Sequence, residues 1–144
     1  MLTAVGTLAG SLPTGMLAHF TQRAQRVAAE VSARRAEVLE AVSALVPTLA
    51  DHRRAMAVRE QLRLDGEDWS AVRTESHTSR SAIGAPLLRG HLLEPALAAT
   101  AQSAAQAVYV MREATTEAGL QEAREHAIRA SDALVDAAGA ALVP

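Results

Sequence analysis

Residues 22–46 read QRAQRVAAEVSARRAEVLEAVSALV, with neither glycine nor proline. Val27, Val31, Val38, Val42 and Leu45 recur at intervals of three, four and one of seven, while Arg34, Arg35, Glu37 and Glu40 fall on other faces. That spacing predicts a long amphipathic helix. The whole composition agrees: 33 of the 144 residues are alanine, the best helix former, and aromatic residues make up only 2%. Sheet-building side chains are too scarce for an all-β or α/β fold, so helices are expected throughout, in one domain's length of chain. With no cysteine and no lysine, disulfides, thiolate metal sites, Schiff-base lysines and phosphate-loop lysines are excluded.

Upstream of this helix, residues 2–20 read LTAVGTLAGSLPTGMLAHF and carry no ionised side chain. Nineteen residues are close to the roughly 20 that cross a bilayer as a helix, although threonines, Ser11, Pro13 and glycines dilute the leucines. Arg23, Arg26, Arg34 and Arg35 follow, opposed up to that point by Glu30 alone. The expectation is a single-pass membrane anchor over residues 1–20, the N-terminus outside and residues 21–144 forming a cytoplasmic domain. The alternative is an apolar helix buried in a soluble bundle. Gly6 and Gly10, with Gly15 spaced from Ser11, give a small-residue pattern that in a membrane helix permits close self-association.

Downstream, Pro47 is expected to end or kink the first helix and Thr48 to cap a second, with Leu49, His52 and Met56 inward. Asp65-Gly66 is a stop signal, and Asp68 is a candidate cap for a helix carrying Trp69, Val72, Ser76 and Ile83 on one side. Trp69, the only tryptophan, is expected to anchor the core. Gly84 and Pro86 are expected to break this helix. An alanine-rich helix from about residue 96 to 114 should approach its neighbours closely. Thr115 or Thr116 caps the last helix, with Leu120, Ala127, Leu134 and Ala138 inward. The fold class is an all-α antiparallel bundle of about four helices with a long N-terminal helix.

Charge is unevenly distributed: residues 21–63 carry +3 and residues 64–144 carry −5, within a total of −2. Arg23, Arg26, Arg34, Arg35, Arg53 and Arg54 are candidate contacts to an anionic surface, because the guanidinium fork fits phosphate oxygens. No glycine-rich loop, recognition-helix signature or aromatic interleaving points to sequence-specific nucleic-acid binding. His91 with Glu94, and Glu122 with His126, have helix-face spacings but fall short of a bundle metal site. Ser76 to Arg80 form a polar cluster without nucleophile–base geometry. The reading is a non-enzyme with no metal, cofactor or small-molecule substrate, whose partners are a membrane and a protein, or itself.

The apolar segment and Arg-rich helix, followed by ADHRRAMAVRE at 50–60, DWSAVRTESHTSRSAI at 68–83, PLL at 86–88 and SDALVDAAGA at 131–140, resemble the small KilB-like proteins of actinomycete conjugative plasmids and integrative elements. The resemblance implies a membrane-associated accessory of plasmid spread between mycelial compartments, acting beside a separate DNA-translocating ATPase. It supplies no catalytic residues.

Overall fold

The computed structural model describes residues 12–143, and among them every regular element is helical. Helix α1 spans Leu12–Leu64, α2 Ser70–Leu93, α3 Ala98–Tyr109 and α4 Glu117–Leu142, with single 3-10 turns at Pro95–Leu97 and Val110–Glu113. The chain divides into two units after Arg35. In the first, α1 is solvent-exposed from residue 15 onward. In the second, the remainder of α1 packs with the other helices.

Pro47 does not end α1. The ring lies on the exposed side, while Leu45 and Leu49 on either side of it are fully buried, so packing offsets the roughly 3 kcal/mol that an internal proline costs. Thr48 starts no new helix, and its hydroxyl instead donates to Leu45 O at 2.7 Å. The expected stop at Gly66 is present: φ is +73°, Glu67 N–H donates to Leu62 O and Gly66 N–H to Arg63 O. That pair of bonds is the Schellman arrangement, which needs a residue free to adopt a left-handed conformation. Asp68 accepts from both the backbone and the hydroxyl of Ser70 as α2 begins. Gly84 and Pro86 do not break α2, because Ile83 is fully buried beside them and the helix runs on to Leu93.

Cross-helix contacts fix the direction of the first two helices. Glu40 meets Arg89, His52 meets Ser79 and Arg59 meets Trp69, so α2 returns antiparallel along α1. Leu45, Leu49, Met56, Ile83, Val108, Met111, Leu120 and Leu134 build the main core, and Val38, Leu97 and Ala138 close one end. In α3 the buried positions are Ala101, Ala104, Ala105, Ala107 and Val108, and this helix packs extensively on α4. The alanine surplus therefore serves close helix approach, since a methyl side chain lets neighbouring backbones come near. Thr116 caps α4 by accepting from Gly119 N–H at 3.0 Å, and its predicted inner stripe, Leu120, Ala127, Leu134 and Ala138, is buried throughout.

Of the segment read as an anchor, residues 1–11, with Gly6 and Gly10, lie outside the described residues. Residues 12–20 belong to α1, which is interrupted by arginine from Arg23 onward, and among the described residues no helix is long and apolar enough to cross a membrane. A side chain at Gly15 would meet nothing within 4 Å.

The tight α3 packing has a direct consequence. Ala104→Leu is expected to lower stability by about 2 kcal/mol through overpacking, whereas Ala99→Leu, on the exposed side of the same helix, should be close to neutral in chemical denaturation.

Candidate interaction surface

Two polar clusters lie inside the bundle, and both are built by α1. The first surrounds Glu60, which is 1% exposed. Arg63 Nε donates to Glu60 Oε2, and its other guanidinium arm reaches the carbonyl of Ala114, in the link between α3 and α4. Arg59 sits 3.5 Å from the second carboxylate oxygen, an ion pair too poorly aligned for a hydrogen bond. Arg59 also lies over the Trp69 ring at 4.9 Å, with Arg73 at 5.8 Å. Trp69 is thus no core anchor. It is half-buried at the start of α2, outside both apolar clusters, where its indole face serves two arginines. The pair thereby ties the last turns of α1 to the starts of α2 and α4.

The second cluster is centred on His52, which is buried against Tyr109 with ring centroids 5.9 Å apart. Ser79 Oγ is hydrogen-bonded to His52 Nδ1 at 2.9 Å and lies 3.2 Å from Ser76 O. Burial, then the positive charges of Arg80 and Arg59, push the imidazole down to about 4. Arg80 lies over the Tyr109 ring at 4.2 Å. The arrangement suits a neutral histidine that satisfies polar groups between helices.

The remaining candidates separate. Arg53 and Arg54 lie in the bundle: Arg54 is neutralised by Asp51, and Arg53 is half-buried, its guanidinium held below the ordinary value by burial and by Arg124 and Arg54, against Asp132. Arg54 and Arg124 flank a groove of about 700 Å³ between α1 and α4, lined also by Ala57, Val58 and Leu120. Arg23, Arg26, Arg34 and Arg35 lie in the part of α1 before the bundle, the first three exposed. Ser76 is buried and donates to Arg73 O, while His77 is exposed beside it. His91 and Glu94 do not converge on a site, as Glu94 caps the following 3-10 turn. Among the described residues no three histidines or carboxylates are grouped to hold a metal.

What stands out on the surface is α1 itself. Met16, Leu17, Phe20, Val27 and Val31 are 67, 70, 65, 52 and 45% exposed. Such a run of large apolar side chains on one helix is a candidate interaction surface. Val27 and Val31, the first two positions of the valine pattern in the sequence, belong to this run.

The KilB plasmid transfer protein model matches residues 39–142. The chain is also 48% identical to protein KilB of Streptomyces lividans over 141 residues, 96% of this chain and 93% of that protein. The chain belongs to the KilB plasmid transfer protein family. No solved structure is detectably similar. The family match covers the bundle from Leu39 onward, and the longer pairwise match extends into the exposed part of α1.

Two measurements probe the buried clusters. Glu60→Gln leaves two arginines without a charged partner and is expected to cost about 3 kcal/mol, whereas Arg89→Ala, at an exposed pair with Glu40, should change stability little. His52 binds a proton less readily in the folded chain than in the unfolded one, so stability present above about pH 6.5 should fall as pH drops toward about 4. The loss at that point is on the order of 2 kcal/mol once screening is allowed for, and it should largely vanish in His52→Asn, as read by urea denaturation across that range.

Proposed function

We propose that the protein is a non-enzymatic accessory of plasmid transfer that works by contact with other proteins, through the exposed apolar face of α1 between Leu17 and Val31. Family membership supports the plasmid-transfer context. The single observation that carries the contact reading is the exposure of that face, because uncovering large apolar side chains in water is unfavourable unless a partner covers them. The polar clusters of the bundle are taken up with holding helices together.

A second reading, membrane association, rests on the uncharged residues 2–20 and the arginines that follow.

The test is complementation of a plasmid lacking this gene. Phe20→Glu/Val27→Glu is expected to reduce plasmid transfer or spread at least about tenfold at unchanged protein level, and wild-type transfer by that variant would overturn the contact reading. Fractionation of the same cells tests the second reading: recovery in the membrane fraction supports it, and full recovery in the soluble fraction contradicts it.

A further inference from the structure

The sequence register of α1 says what kind of partner the exposed face takes. Leu17, Phe20, Ala24, Val27, Val31 and Arg34 alternate at intervals of three and four, the a and d positions of a heptad. Carried on without a slip, the same register gives Val38, Ala41, Leu45, Thr48, His52 and Ala55, of which all but the half-buried Thr48 are buried in the bundle. Inside the bundle the apolar stripe is wide, since the e positions Val42, Leu49 and Met56 are also covered. Upstream, the e positions are Thr21, Ala28 and Arg35, and from Leu17 to Val31 the large apolar side chains fall at a and d alone. A broad stripe suits a globular core, while a strict a/d seam suits a single facing helix. A helix lying in lipid headgroups needs a broad apolar face instead.

We propose that residues 16–35 of α1 pair with the same segment of a second copy as an antiparallel two-stranded coiled coil. This rests on the reading of that face as the working surface. Charge chooses the partner, and side-chain volume the direction. With Ala24 opposite the partner's Val27, Phe20 meets the smaller Val31 of the partner, and at each end Leu17 lies along the aliphatic stem of the partner's Arg34, whose guanidinium reaches solvent. The flanking g positions are Arg23 and Glu30, and in this register Arg23 of each copy lies beside the partner's Glu30. The two-fold axis makes that ion pair twice, and no like charges face one another. A parallel pairing would set Phe20 against the partner's Phe20 and Ala24 against its Ala24, a bulky layer beside an empty one.

The chain has no cysteine, so introduced thiols report the pairing cleanly on the full-length protein. Analytical ultracentrifugation is expected to show a dimer that dissociates on dilution. Arg23→Glu or Glu30→Arg alone should weaken it about tenfold, and the double reversal should restore it. Mixed Phe20→Cys and Val31→Cys chains should cross-link to each other, while Phe20→Cys alone should not. All these substitutions fall on exposed positions, so circular dichroism and thermal unfolding should be unchanged. A monomer at every concentration, self-cross-linking of Phe20→Cys, or failure of the double reversal to rescue would each overturn the proposal. So would a monomer that binds phosphatidylglycerol vesicles through this face. Because these readouts use purified protein, a failed dimer leaves the transfer assay free to decide the broader reading.

Discussion

The register of α1 is the constraint on which the rest of the structure depends. Its a and d positions from Val38 to Ala55 supply one wall of the bundle core, and α2, α3 and α4 close over that wall. The same intervals of three and four run on in the sequence from Leu17 to Arg34. There no helix of the described chain covers them. Pro47 would break that wall if its surroundings allowed. The buried Leu45 and Leu49 hold the helix through it, so the wall from Val38 to Ala55 stays one surface.

Two polar interactions complement that apolar frame. Glu60, buried between Arg59 and Arg63, joins the last turns of α1 to the Ala114 carbonyl and, through Arg59, to Trp69. A buried charge adds little net stability over an apolar filler, but it tolerates few alternative arrangements, because any misplacement leaves it unpaired. His52 does similar work halfway along the bundle, where α1, α2 and α3 meet through Ser79 and Tyr109. Both clusters specify how the helices are stacked.

Much of this was legible in the sequence. The all-α class followed from alanine and from the valine spacing, the stop at Gly66 from its conformational freedom, and the α4 stripe from a clean helical period. The breaks expected at Pro47, Gly84 and Pro86 were misread, since local propensity is a weak effect when adjacent residues such as Leu49 and Ile83 are completely buried. As the only tryptophan Trp69 reads as a core anchor, yet its position at a helix start places it beside arginines from two helices. Glu60 went unrecognised because its partners Arg59 and Arg63 look like an ordinary solvated face. Its place at the edge of the apolar stripe, next to Met56, was the available signal.

The two stretches of α1 differ in their cover: the bundle for one and, in the proposed pairing, a second chain for the other. Hydrogen exchange along α1, followed as the protein is diluted, separates them most directly. Amides of residues 38–62 should stay protected at every concentration. Those of residues 18–33 should be protected in concentrated solution and lose that protection on dilution. Exchange in 18–33 that is independent of protein concentration would contradict the claim.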